Sequence, residues 1–300
     1  MQSGKILQIL KKFCCRIRNN RYNKKKGGVI MKEPRYTIYK TRTPICIDGK
    51  LNGKIWDKTP WSDRFVDLIS GEPVFFDTRV KCLWDEENLY IAFWAEEPFV
   101  TGQLTQRDDI IFRENDLEIF LGDGDTYYEL EVNARNTVYE VFYIWRDAYV
   151  KNGWNKRPEY DLLTTEARTF GGNHDRTVDH FWTGNHPRGD KFAFLHWDYP
   201  GLQTAVHIQG TLNDHSDIDK GWSLEIVLPW KGMADLSGGK PIPPKEGDLW
   251  KIGFYRFNQL RIGGKNVGCG WGLDPMGDND NHKPEKFSDC LFSETYVEDL

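Results

Sequence analysis

Tyr127-Tyr128-Glu129-Leu130-Glu131-Val132-Asn133 and, after a break of four residues, Val138-Tyr139-Glu140-Val141-Phe142-Tyr143-Ile144-Trp145 decide the fold class of this 300-residue chain. In both stretches polar and apolar side chains alternate with period two, the spacing at which a strand sends successive side chains to opposite faces. They read as two strands with a wet face and a dry face. Upstream, Leu89-Tyr90-Ile91-Ala92-Phe93-Trp94-Ala95 reads as a strand buried on both faces. Asp85-Glu86-Glu87-Asn88 and Gly122-Asp123-Gly124-Asp125 carry the turn chemistry of hairpins. Residues 202–212, 222–228 and 249–257 continue the pattern, and the best helical segment is one short turn at 230–234. A set of antiparallel strands must bury its apolar faces against itself. The expected fold is therefore all-β, an antiparallel β-sandwich with long loop insertions.

Two stretches break the rhythm. Residues 146–200 are rich in Gly, Asn, Asp and His but carry Trp154, Trp182 and several other rings. A structureless segment of that length is uncommon in a compact domain, so it is expected to be functional or to hold hairpins of its own. Residues 268–283 form a polar Gly/Asp/Asn-rich run around Trp271. Aromatics make up 14% of the chain, which predicts a core built from large rings, with loop rings as the candidates for a ligand platform.

Charge separates the head from the body. Residues 1–30 hold nine of the 40 basic residues and none of the 45 acidic ones, leaving a net charge of −14 on the remainder. An acidic body argues against nucleic acid and anionic membranes as partners. Residues 1–34 read as a basic extension without fixed structure, and residues 35–297 as one domain, expected to be monomeric. The apolar run Ile6-Leu7-Gln8-Ile9-Leu10 is too short and interrupted for a secretory signal, and no small-residue cleavage site follows it. Met31 is a second candidate start. Cytoplasmic residence is the default expectation, and no apolar run reaches membrane-spanning length. The six cysteines show neither metal spacing nor a dense disulfide pattern, and Cys46 and Cys82 are expected to be buried thiols.

The order of short blocks from Pro44 to about Glu294 resembles the family 9 carbohydrate-binding modules. The blocks are Ile45-Cys46-Ile47-Asp48-Gly49 leading to Trp56, Trp84-Asp85 with Leu89-Tyr90, Asn115-Asp116-Leu117-Glu118-Ile119-Phe120, Gly221-Trp222-Ser223-Leu224-Glu225, Gly247-Asp248-Leu249-Trp250 and Pro284-Glu285-Lys286-Phe287. The resemblance implies a sugar-binding β-sandwich, usually extracellular, that takes a poly- or oligosaccharide by its reducing end between two tryptophans and supports glycan catabolism without cleaving bonds. It places Phe112 at the first ring position and Glu118 at the hydroxyl-reading carboxylate. Asn281-His282 falls where the second tryptophan belongs, and Glu131 near an arginine position.

The candidate ligand-binding set is thus Phe112, Glu118, Trp271, His282, Trp154 and Trp182. Trp271 stands out because Gly268, Gly270 and Gly272 would leave its ring accessible, and a buried Glu118 would need a sugar or an arginine such as Arg256 as partner. No cofactor is required. Structural calcium is the candidate metal, with Asp274, Asp278 and Asp280 offering hard oxygen ligands at close spacing. The alternative function is glycoside hydrolysis by paired carboxylates, roughly 5–5.5 Å or 6.5–9.5 Å apart. Asp116 with Glu118 and Glu129 with Glu131 share strand faces, but no acid/base loop accompanies them.

Overall fold

Fourteen strands make up the computed structural model, which describes residues 33–171, 186–262 and 265–300. They are β1 (Tyr36–Lys40), β2 (Val66–Asp67), β3 (Thr78–Trp84), β4 (Asn88–Glu96), β5 (Asp116–Leu121), β6 (Thr126–Asn133), β7 (Val138–Trp145), β8 (Ala167–Phe170), β9 (Lys191–Phe194), β10 (Gln203–Gln209), β11 (Gly221–Pro229), β12 (Leu249–Ile262), β13 (Lys265–Gly272) and β14 (Ser288–Tyr296). The basic head up to residue 32, and Trp182 with it, lie outside the described residues.

The strands hydrogen-bond in the order β10-β11-β4-β3-β1-β14-β12-β5-β6-β7-β9-β8, with β13 on β12 and β2 on β13. This path folds over so that β10-β11-β4-β3 faces β12-β5-β6-β7, the all-β sandwich that the alternation predicts. Ile91, Phe93, Leu224 and Ile226 of one layer share a core with Ile119, Leu130, Phe142 and Phe254 of the other. The hairpin turns fall where turn chemistry put them, between β3 and β4 and between β5 and β6. One pairing departs from the antiparallel expectation. β1 runs parallel to both β3 and β14; for β3, the long 41–77 connection lets the chain return in the same direction.

The wet face expected for β6 and β7 is not wet. Tyr127, Tyr143 and Trp145 pack with Phe120, Tyr255, Met276 and Phe287 in a second core on the far side of this layer. Residues 273–287 cross over that face, and Glu129 and Glu131 are consequently buried beneath them. In the insertion, the short helix Arg146–Lys151 and two 3-10 turns lead to the β8–β9 hairpin. Trp154 and Tyr160 pack against Phe142, so these rings extend the core. Residues 268–272 are also not loop but the end of β13, paired with β12. Cys82 is buried as expected, whereas Cys46 is exposed in the segment before Trp56. Among the described residues, no helix is long and apolar enough to cross a membrane.

A buried ion pair pins the layers together. Arg256 of β12 is 0% exposed and reaches Glu97, just after β4, at 3.2 Å. Its Nη1 also donates to Thr78 Oγ1 at 2.8 Å and to the Glu96 carbonyl at 2.9 Å. Glu97 accepts in addition from Asn115 at 2.5 Å and from the Trp222 indole at 2.8 Å.

Candidate functional site

The outer face of β10-β11-β4-β3 is only half covered. Residues 45–56 cross it, and Ile47, Leu51, Ile55 and Trp56 pack against Leu83, Tyr90, Ala92 and Val227. Glu225 anchors this strap from the sheet. It accepts from Trp56 Nε1 at 2.6 Å, Gly49 N at 2.7 Å and Asp48 N at 2.9 Å. Burial lifts the Glu225 carboxyl above its ordinary range against those three donors. Ser223 Oγ adds a bond to the Gly49 carbonyl at 2.6 Å.

Gly49 is what allows the strap to sit so close. Its φ is +79°, and a Cβ there would lie 2.4 Å from the Val206 carbonyl carbon. Gly49→Ala is therefore expected to lift the strap and lower stability by about 1–3 kcal/mol. Chemical denaturation monitored by tryptophan fluorescence would measure it, and an unchanged midpoint would show that the strap does not depend on this contact.

Where the strap ends, a pocket of about 510 Å³ opens, lined by Lys50, Leu51 and Asn52 of the strap, by Trp61, Asp77, Arg79 and Trp94, and by His207, Gln209 and Ser223. Register creates its floor. Arg79 pairs with Trp94, Trp94 with Ser223 and Ser223 with His207, so four adjacent strands present one row of side chains. Trp61 stands at the edge, 38% exposed, with Lys81 Nζ 4.3 Å from its ring centroid. Lys81 itself is held by the Trp56 carbonyl. Asp77 is clamped by Arg64 at 3.0 Å and Arg79 at 2.9 Å, through the Nε of each. That clamp fixes the Arg79 guanidinium while its terminal nitrogens have no partner among the described residues.

Two indoles and several polar side chains, of which Asp77, Arg79 and Ser223 are held in place, suit the chemistry of a pyranose, whose apolar C–H face is edged by hydroxyls. Rings supply area and orientation. The few placed polar groups supply selectivity.

A second concentration of chemistry lies buried on the far face of the opposite layer. Asp116, Glu118 and Glu131 each bring a carboxylate oxygen within 4.8 Å of the others. Burial, then the neighbouring Glu118, Glu129 and Asp116, raise the Glu131 carboxyl well above the ordinary range. Burial also pushes Glu129 up to about 7, against the Tyr143 hydroxyl that donates to it at 2.5 Å.

The residues singled out from sequence fall in several places. Trp271 is 2% exposed, between Phe76 and the Arg256 guanidinium, so its ring is not at the surface. Its glycine neighbours serve packing: a Cβ on Gly270 would meet Phe257 at 2.8 Å, and one on Gly272 would meet Tyr255 at 2.9 Å. Glu118 is buried and accepts from Asn281 Nδ2 at 2.8 Å, while Arg256 turns to the other face. His282 is buried among Phe120, Tyr143 and Phe170, its Nδ1 3.0 Å from the Tyr127 hydroxyl. Phe112 and Trp154 are half-buried; Phe112 lies edge-on to Tyr139.

The three aspartates do not converge. Asp274 meets Arg35 at 2.9 Å and Ser288 at 2.7 Å, Asp278 meets Lys283 at 2.5 Å, and Asp280 accepts from the His282 amide at 3.0 Å. The pocket residues themselves escaped sequence reasoning. Trp94 sits in an apolar run, and only the register of four strands sets it beside Arg79 and His207.

No protein-family model and no curated protein matches the chain. Among solved structures, the chain is similar to a family 9 carbohydrate-binding module from Caldicellulosiruptor kristjanssonii in complex with cellotriose. The TM-score is 0.45 at 13% identity, covering 88% of this chain and 97% of that one. The same organism's family 9 module in complex with glucose gives a TM-score of 0.46 at 14% identity, covering 86% and 96%. A candidate carbohydrate-binding protein from Bacteroides uniformis gives 0.49 at 14% identity, covering 86% and 98%.

Proposed function

We propose that the protein binds a poly- or oligosaccharide in the pocket beside Trp94 and Trp61, without cleaving it, and that glycan breakdown is the setting in which it works. The observation that carries this reading is the in-register row Arg79–Trp94–Ser223–His207, which sets an indole in the pocket lining with hydrogen-bonding groups on both sides. Asp77 is the one carboxylate in the lining, and two arginines hold it, whereas glycosidic cleavage uses two carboxylates. The pairs nominated for hydrolysis, Asp116 with Glu118 and Glu129 with Glu131, are buried.

Calorimetric titration across a panel of neutral and acidic oligosaccharides tests the proposal. Trp94→Ala is expected to weaken binding tenfold or more, about 1.4 kcal/mol, for the loss of one stacking ring, and Trp61→Ala to weaken it further. A wild-type chain that takes up no glycan on the panel, or variants that bind as tightly as wild type, would overturn it.

A further inference from the structure

We propose that the saccharide taken up beside Trp94 is an acidic one, carrying a carboxylate or sulfate group that the Arg79 guanidinium receives. This rests on the saccharide reading of the pocket and adds the class of sugar. The hydrogen-bonding groups around the pocket divide into carboxylates already engaged within the protein and cationic donors that are not. Asp77, the one carboxylate in the lining, takes the Nε of Arg64 at 3.0 Å and of Arg79 at 2.9 Å. The carboxylates just outside the lining also face protein donors. Glu96 accepts from the Asp77 amide at 2.8 Å and Asp48 from the Lys50 amide at 2.9 Å, while Glu225 is taken up by the strap.

The donors stand open. Arg79 bonds Asp77 through Nε alone, so its Nη1 and Nη2 have no partner among the described residues, and its side chain lines the pocket. Lys50 Nζ comes no nearer to Asp48 than 3.7 Å, beyond hydrogen-bond range. Lys81 Nζ lies 4.3 Å from the Trp61 ring centroid, and its acceptor is a neutral one, the Trp56 carbonyl. Three cations thus stand around the two indoles, on a body whose overall charge is strongly negative.

Asp77 does more to Arg79 than offset its charge. By holding Nε it fixes the guanidinium and leaves the edge formed by Nη1 and Nη2, a planar fork that matches two oxygens of one anion. A sugar hydroxyl takes one such N–H at a time, whereas a carboxylate or sulfate takes both. Hydrogen bonds to an ionised acceptor are also roughly twice as strong as neutral ones. Arg79 lies directly opposite Trp94 on the neighbouring strand, about 4.8 Å away by strand spacing. A pyranose against the indole therefore has its ring substituents beside that fork.

Calorimetric titration of the full chain against matched pairs tests the assignment: oligouronates beside their methyl esters, and sulfated oligosaccharides beside their desulfated forms. The charged member of at least one pair is expected to bind about tenfold or more tighter than its neutral counterpart, by a margin that shrinks as salt is raised. The pair that shows it tells carboxylate from sulfate. Arg79→Gln should bring the ratio close to one, and Arg79→Lys, which keeps the charge but not the fork, should retain part of it. Lys50→Gln should lower the ratio with the melting temperature unchanged, since that side chain is 47% exposed. Equal binding of both members of every pair, or preference for the neutral ones, overturns the inference and leaves the saccharide reading standing. A preference for the charged member that survives in both Arg79→Gln and Lys50→Gln overturns it too, because the anion then sits elsewhere. A chain that binds no member of any pair removes the saccharide reading and this inference together.

Discussion

Arg256→Met is expected to destabilise the protein by about 3–5 kcal/mol. The guanidinium is wholly buried and joins β12 in one layer to Glu97, Thr78 and the Glu96 carbonyl in the other. Methionine fills much of the volume, so the loss is electrostatic: Glu97 remains 4% exposed with its charge uncompensated. Its remaining donors, Asn115 and the Trp222 indole, are neutral and cannot replace a cation. Adding Glu97→Gln to the methionine variant removes the stranded charge and should recover part of the deficit. It should not recover all of it, because one of the two donors then faces an amide NH₂. Urea unfolding of the two singles and the double closes the cycle, with a coupling of about 1–3 kcal/mol expected between groups in direct contact. A methionine variant within 1 kcal/mol of wild type would mean that the interlayer pair is not what holds the layers in register.

Trp271→Ala is the second. Removing a fully buried indole from a close-packed site costs about 3–5 kcal/mol, from lost transfer energy plus the cavity left behind. Here the cavity would open between Phe76 and Arg256 and also weaken the neighbouring ion pair. The distinguishing expectation concerns binding. Saccharide affinity of the fraction that stays folded should equal that of wild type, because Trp271 lines no part of the pocket. Trp94→Ala should show the reverse pattern, with affinity reduced and stability little changed. Melting temperature and calorimetric titration on both variants separate the two roles. If Trp271→Ala abolished binding while leaving the melting temperature untouched, the ring would have to be the platform its glycine neighbours suggested.

These two tryptophans show how much of the molecule could be read directly. The alternation of β6, β7 and β11 and the Asp/Gly turns are local properties, and they gave the strands, the hairpins and the sandwich. Exposure is not local. Gly268, Gly270 and Gly272 around Trp271 look like loop chemistry, yet Gly270 and Gly272 lie within a strand and are packed where Phe257 and Tyr255 leave no room for a Cβ. Glu129 and Glu131 occupy the polar phase of a clean period-two pattern, yet a segment more than a hundred residues later covers them. Burial of Glu118 calls for a sugar or an arginine such as Arg256 beside it, and among the described residues Asn281 donates to it while Arg256 pairs with Glu97.

Taken by itself, the order of the residues determined that this chain is a two-layer stack of strands with large rings inside, since period-two patterning acts over neighbouring positions and needs no knowledge of distant ones. Only the folded molecule decided which faces stay open. The pocket exists because the strap stops at residues 50–52 and because four strands align Arg79, Trp94, Ser223 and His207. Covering segments and strand register are long-range outcomes of packing. No window of sequence contains them.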